Sequence, residues 1–463
     1  MILFDSVSKQ KKELSKKQLN IYLCGPTVYD HAHLGHARSS ICFDLLRRVL
    51  LALGFKLSFA RNYTDIDDKI LKKMQENKQS LEELTAFYIS SYEEDMRALN
   101  VLEPNFKPRA TYFIKEMIVL IQKLISKGFT YTLEDGIYLD TSKDKAYLSL
   151  SHRGFENNIS RLENESKKHN ESDFVLWKFD ENFYPAPFGT GRPGWHTECV
   201  AMIESLFKEG LDIHCGGIDL LFPHHENEAC QCRLALDKNL ASFWLHNGFV
   251  KIDGEKMSKS LNNSFFIKDA LQAFQGEVLR LYLLSSHYRA HFSYSLQDLA
   301  VAKKRLDKLY RLKKRLSLEA FKDFGAQELK EGFKSEPALN LLLNLKDDLN
   351  ISAALANFDE FINESNQKLD EDSKNKALKT KLSKALEETC LILGLGFLDT
   401  NAYFQFGVSK DEIDFIEEQI TLRAEAKKEK DFQKADAIRA NLLSKGISLQ
   451  DTPNGVVWEK NNE

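Results

Sequence analysis

A short β-prone run, Ile21 to Cys24, stops at Gly25-Pro26 and gives way to a helical pattern in which Ile41, Leu45, Val49 and Leu53 share one face. Arg47 and Arg48 fall among its polar positions, Gly54 closes it, and Lys56 to Arg61 reads as the next strand. Strand, turn, helix and strand in this order make a βαβ unit, whose two strands must lie parallel. That constraint places the chain in the α/β class. A second candidate strand, Leu211 to His214, runs into Gly216-Gly217 ahead of another helical pattern. A third, Trp244 to Val250, leads to a polar loop at Asp253 to Ser260. These segments are expected to form two halves of one open, Rossmann-like sheet, split by an inserted subdomain at about residues 105 to 195.

With 463 residues the chain exceeds one ordinary core, and its character changes after residue 293. Ala300 to Leu316 is a basic helical pattern, and residues 335 to 398 read as amphipathic helices. Asn366 to Lys384 within them is polar and lysine-rich, expected as loop plus exposed helix. Glu412 to Lys445 is again helical and highly charged, and Ile447 to Trp458 reads as strand, turn at Pro453-Asn454-Gly455, and strand. The expected division is a catalytic domain over 1–293, a helical bundle over 294–400 and a small terminal domain over 401–463. No run approaches the roughly 18 apolar residues of a membrane span. The first residues, Met1 to Asp5, lack the basic-then-apolar order of a signal peptide. Seven scattered cysteines suit reduced thiols or metal ligands in a cytoplasmic protein better than a disulfide framework. A net charge of −4 announces no general affinity for nucleic acid, so any RNA contact must come from local basic surface.

His33-Leu34-Gly35-His36 falls where the first strand passes into the first helix. In an open α/β sheet that edge binds ligands, and a helix N-terminus offers free N–H groups to phosphate. Gly35 lets a nucleotide approach the backbone, and the two imidazoles can hydrogen-bond phosphate oxygens. Lys256-Met257-Ser258-Lys259-Ser260 follows the third strand, where two lysines on a polar loop can neutralise charge on a departing pyrophosphate. Either string alone is commonplace: two surface histidines in a turn, or a solvated basic loop. As an ordered pair after strands, they match the paired signatures of class I aminoacyl-tRNA synthetases.

Cys24, Cys199, His224 and Glu228 form a candidate metal shell of two thiolates, an imidazole and a carboxylate, a sound set for zinc. His224 and Glu228 stand four apart and share a face if helical. His225 or Cys230 could replace a member, so position alone leaves the set open, as it leaves a structural zinc or metal-free cysteines. A metalloprotease pair is excluded, because no second histidine follows His225-Glu226 at the required spacing.

Longer strings narrow the resemblance. Cys24 to Asp30, Arg61 to Lys69, Asp173 to Lys178, Gly191 to His196 and Phe222 to Glu228 resemble cysteinyl-tRNA synthetases, and together they cover residues 20 to 295 nearly without interruption. The resemblance implies that Cys24, Cys199, His224 and Glu228 bind one Zn²⁺, that Thr64 and Trp195 line the amino-acid pocket, and that Asp219 sits near the adenosine. It implies ATP with Mg²⁺, L-cysteine and tRNA(Cys) as substrates. His33, His36 and Lys259 would stabilise charge at the α-phosphate, with Lys256 assisting. Cys215 is a small departure, adding a thiol before the glycine pair. Zinc suits this chemistry, because a cavity alone separates cysteine from serine by only about 10- to 200-fold, whereas a thiolate is a far better zinc ligand than a hydroxyl.

The resemblance places tRNA on the C-terminal third. Arg423, Lys427, Lys428 and Lys430 are candidates for backbone contacts, and Trp458, with Asp451 nearby, for reading an anticodon base. The alternatives are a solvated helix face and a core tryptophan. A ligase joining cysteine to an amino-sugar would share the zinc and ATP motifs but lack the long C-terminal region. A catalytically dead RNA-binding descendant would have lost motif residues, which are intact here, and the cysteine-rich shell argues against another amino acid. The expectation is an active, monomeric enzyme.

Overall fold

A computed structural model describes residues 1–152, 168–252, 255–256, 265–321, 329, 332–452 and 455–460. Its centre is a four-stranded parallel sheet in the order Ala241–Asn247, Leu211–Gly217, Gln18–Leu23, Lys56–Arg61. The helix Leu34–Ala52 forms the crossover between the last two strands. From Gln18–Leu23 the chain moves to one side, and Leu211–Gly217 pairs on the other. The order therefore reverses at the carboxyl ends of these two strands, where open α/β sheets bind ligands.

Between the halves, four antiparallel strands form a second sheet: Thr130–Leu133, Gly136–Leu139, Phe174–Tyr184 and Gly191–Pro193. The helix Ile114–Ser126 packs on it. After the strand Ala241–Asn247, Val250–Ile252 pairs with Glu255–Lys256 and Phe292–Ser293. Residues 257–264, which carry Met257 to Ser260, lie outside the described residues.

The expected strand Trp244 to Val250 is thus two strands broken at Gly248, where a Cβ would lie 2.2 Å from the Ala290 carbonyl oxygen. Helices Leu296–Arg315, Glu336–Leu345, Ile351–Glu371 and Lys376–Leu393 follow. The lysine-rich stretch Asn366 to Lys384 is mostly helical, with a break at residues 372–375 ended by the Asn375 cap on Leu378 N. Lys410–Lys428 and Phe432–Ser444 pack together and against the hairpin Ile447–Thr452/Gly455–Lys460. No helix among the described residues is long and apolar enough to cross a membrane.

One buried cluster runs from the sheet through Ile41, Leu45 and Val49 into Leu341, Leu355, Leu386 and Leu393 of the later helices. The helix Leu34–Ala52 is therefore covered on both sides, and Arg38, Arg47 and Arg48 are buried. The sequence places Arg47 and Arg48 on a polar face. The structure instead satisfies them internally: Arg47 donates to the carbonyls of Leu102 and Glu103, and Arg48 to those of Leu391 and Asn100 and to Asp44. A second cluster, including Trp177, Val200 and Trp244, unites the inserted sheet with the other face. Ile416, Leu442, Ile447, Leu449 and Trp458 form a separate small core.

Candidate metal centre and nucleotide cavity

A cavity of about 430 Å³ opens at the reversal point, lined among others by Cys24, His33, Gly35, His36, Trp195 and Asp219. Gly25 forms part of its wall because nothing larger fits: a Cβ there would lie 1.7 Å from the Asn62 carbonyl oxygen. Each histidine of the first motif has a defined local role. His33 caps the helix Leu34–Ala52, its Nδ1 accepting from Gly35 N at 3.0 Å, while His36 Nδ1 accepts from His33 N at 3.2 Å. The rings stack with centroids 3.8 Å apart. A neutral imidazole that accepts at Nδ1 carries its proton on Nε2, so both rings are prepared as donors at the helix N-terminus.

Four chain segments bring the candidate ligands together. Cys24 follows the strand Gln18–Leu23, Cys199 lies on the helix Trp195–Leu206, His224 on the turn before the helix Glu226–Leu236, and Glu228 in that helix. One donor atom from each lies within 4.8 Å of the others. The two sulfurs are 3.8 Å apart, Cys199 Sγ is 3.7 Å from His224 Nε2, and Cys24 Sγ is 4.0 Å from Glu228 Oε1. Tetrahedral ligands at zinc bond lengths stand about 3.3–3.8 Å apart. The Cys24–Cys199 and Cys199–His224 edges fall in that range, while Glu228 Oε1 lies closer to His224 Nε2, at 2.9 Å, and farther from Cys24 Sγ. His224 Nδ1 lies 3.0 Å from His196 Nδ1, and Trp195 stacks on the His224 ring at 4.1 Å, which fixes the ring with Nε2 toward the sulfurs.

A second four-donor set overlaps the first: Cys24, His214, His225 and Glu228. His225 Nε2 is 3.4 Å from Cys24 Sγ, and His214 Nε2 is 2.8 Å from Glu228 Oε2. His225 thus remains an alternative by geometry, while Cys230, in neither set, does not. Burial pushes the Cys24 thiol up to about 11, and sharing its hydrogen bond with Cys24, then burial, raises Cys199. Burial works against charge on Glu228, but His224 and His214 outweigh it and hold that carboxyl well below its usual range. Two reluctant thiols beside a carboxylate and imidazoles are a donor set that a thiophilic cation would complete.

Thr64 is buried, and its hydroxyl donates at 2.9 Å to Glu198, the residue before Cys199; neither Thr64 nor Cys199 lines the cavity. Cys215 is fully buried in its strand. Lys256 lies in a strand, and Lys259 lies outside the described residues. Sequence reasoning missed Lys69 and Tyr29, which also line the cavity, and His214 and His196 around the thiols. Tyr29, Lys69 and His196 stood inside strings already singled out. His214 is exposed as relevant only when the sheet sets its strand beside Cys24.

The C-terminal candidates separate. Trp458 is 2% exposed, packs in the small core and donates from Nε1 to Glu417 at 2.9 Å. It is the core tryptophan of the two readings, on the same strand face as Val456. Arg423 is buried and bound to both oxygens of Asp451, to which Lys427 also donates. Lys428 and Lys430 are exposed.

The family described as "tRNA synthetases class I (C) catalytic domain" matches residues 10–304. A cysteine–tRNA ligase of Campylobacter jejuni subsp. jejuni (strain 81-176) is 68% identical over 462 residues, covering all of both chains. That of Campylobacter concisus (strain 13826) is 56% identical over 475 residues, again covering all of both. Among solved structures, a Mycobacterium tuberculosis methionyl-tRNA synthetase with methionyl-adenylate is similar at a TM-score of 0.55 and 14% identity, over 84% of this chain and 91% of that one. A LeuRS–tRNA–LeuAMS complex from Agrobacterium radiobacter K84 is similar at 0.59 and 10% identity, over 86% of each. These two likenesses concern the fold. With its histidine-capped helix, its cysteine-rich donor set and full-length identity of this order, the chain belongs to the cysteine–tRNA ligases, enzymes with a class I aminoacyl-tRNA synthetase catalytic domain.

Proposed function

We propose that this chain activates L-cysteine with ATP to cysteinyl-adenylate, transfers it to the 3′ end of tRNA(Cys), and holds one Zn²⁺ on Cys24, Cys199, His224 and Glu228. The observation that carries this reading is that Cys24, one member of the two-thiol donor set, lines the same cavity as the His33–His36 helix N-terminus. Zinc held there supplies a thiophilic partner for the substrate side chain, which a serine hydroxyl or alanine methyl matches poorly. Trp195, stacked on His224, forms the adjoining wall of the amino-acid site.

The substrate carboxylate attacks the α-phosphate of ATP in line, expelling pyrophosphate; the terminal ribose hydroxyl of tRNA then attacks the activated carbonyl. His33 and His36 donate to the phosphate oxygens as charge develops, beside the open N–H groups of their helix. Asp219 and Gly35 bound the adenosine side of the cavity. Mg²⁺ accompanies the triphosphate, and Lys259, assisted by Lys256, neutralises the leaving pyrophosphate. Residues 1–293 serve as the catalytic domain, 294–400 as a tRNA-binding bundle and 401–463 as the anticodon-binding domain of a cytoplasmic monomer. The separate terminal core around Trp458 supports the last boundary.

ATP–pyrophosphate exchange with cysteine and with serine, before and after zinc removal by a strong chelator, tests the reading. Exchange specific to cysteine and lost with the metal is expected. Equal exchange with serine, or none with any amino acid, refutes it. Bound zinc in Cys199→Ser and His225→Asn separates the two donor sets: the first variant loses it and the second keeps it.

A further inference from the structure

Behind the catalytic cavity lies a second one, of about 320 Å³, whose charged lining is Arg48, Arg61, Arg97 and Lys107 against Glu93 and Glu103. Arg61 ends the strand Lys56–Arg61 and is only 3% exposed. Its neighbours in the fold show what a buried guanidinium normally receives. Arg48 and Arg280 share Asp44 and also cap the carbonyls of Leu391, Leu393, Leu99 and Asn100. Arg47 has two carbonyls.

Arg61 is held differently: against burial, Tyr92, the Tyr63 hydroxyl and Glu93 favour its charge, and it caps no carbonyl among the described residues. Its Nε has no hydrogen-bond partner, and it makes no ion pair with a carboxylate among the described residues. Its guanidinium lies 4.9 Å from the centre of the Tyr92 ring, with the Tyr63 hydroxyl and Glu93 as further neighbours. Glu93 is already engaged, accepting from Tyr63 and from Lys107. Lys107 also draws in Glu103. Burial first, then the adjoining Arg48 and Arg61 charges acting against Asp44, push Arg47 down to about 10. A buried guanidinium with an unpartnered Nε, in a cavity lined by Arg48, Arg97 and Lys107 against two carboxylates, is matched well by a tetrahedral oxyanion.

We propose that this cavity is a phosphate-binding site, separate from the ATP cavity, with Arg61 at its floor and Arg97 and Lys107 at its rim. Tyr92 stands between the two, since it lines the catalytic cavity on one side and carries the Arg61 guanidinium over its ring. The site goes beyond the aminoacylation reading and does not depend on it. The bound group is a phosphate dianion in solution or a backbone phosphate of RNA, two sources of one chemistry.

Calorimetric titration of the full chain with inorganic phosphate tests the site, at constant ionic strength in chloride, with a non-hydrolysable ATP analogue filling the catalytic cavity. Saturable binding is expected. The rim variant Arg97→Gln/Lys107→Gln weakens it by roughly tenfold or more, the value of a lost charge-assisted contact. Glu103→Gln tightens it, because an exposed carboxylate leaves the rim and frees Lys107, an effect that lost packing would not produce. Arg61→Met abolishes it; should that variant fold poorly, the rim variants still decide. Added tRNA that displaces phosphate assigns the site to the RNA backbone, and tRNA without effect assigns it to the free ion. No saturable phosphate binding by the parent, or binding indifferent to the rim substitutions, overturns the proposal.

Discussion

Asp44→Asn puts the charge arrangement around the catalytic helix to a quantitative test. Asp44 is 3% exposed and accepts from Arg48 Nε at 2.8 Å, Arg280 Nη2 at 2.5 Å and Leu102 N at 2.8 Å. Burial opposes its charge, but Arg48 and Arg280 outweigh burial and bring its carboxyl down to about 2 from an ordinary 3.8. A depression of that size corresponds to about 2–3 kcal/mol of stability at neutral pH. An asparagine keeps the Leu102 contact and one guanidinium but leaves two buried cations without a charge between them, which raises the expected loss to about 3–5 kcal/mol.

The pH dependence has a definite sign. Because the folded pKa is lowered, the contribution is complete above the unfolded value near 4 and disappears as pH falls through about 2. Urea denaturation followed by tryptophan fluorescence, at several pH values from neutral downward, measures it. Parent and variant should differ by the full amount at pH 7 and converge toward pH 2. A difference below about 1 kcal/mol at pH 7, or one that does not shrink on acidification, refutes the assignment of Asp44 as the counter-charge of Arg48 and Arg280.

Other substitutions probe separate parts. Trp458→Ala should cost the terminal unit about 3–5 kcal/mol by limited proteolysis and leave cysteine-dependent pyrophosphate exchange intact, whereas a base-reading tryptophan would leave stability unchanged. Gly25→Ala should lower thermal stability by at least about 1–3 kcal/mol, because the new methyl meets the Asn62 carbonyl and backbone must move. His36→Ala should reduce exchange by about 10²-fold with little change in melting temperature, since its Nδ1 satisfies a single backbone N–H.

Much of the catalytic half could be read from the chain because its signals are local. Gly25-Pro26 and Gly54 punctuate the first βαβ unit within a few residues of its actual limits, and the positive φ of Gly54 is what a helix end requires. The four metal-site candidates stood out because their residue types are rare in combination. The failures share another cause. Arg47, Arg48 and Arg423 were placed on polar faces by residue type, yet helix ends and Asp451 far along the chain give them partners that no local pattern encodes. The inserted antiparallel sheet gave no strand expectation, since its pairing partners lie on both sides of a long loop. Trp458 sits two residues before the end of its strand, and only the pairing with Leu449 shows which way it faces.

The burial of the helix Leu34–Ala52 on both sides also sets a timetable for the nascent chain. Arg48 reaches the Leu391 carbonyl, 343 residues later in the sequence. At roughly 5–20 residues per second, the ribosome needs about 20–70 seconds to make that stretch. During this interval the segment bearing His33 and His36 carries a buried arginine, Arg48, whose Leu391 acceptor has not been synthesised. A chain arrested before Lys376–Leu393 would hold both motif histidines and every candidate metal ligand, yet lack the helix that closes the catalytic core.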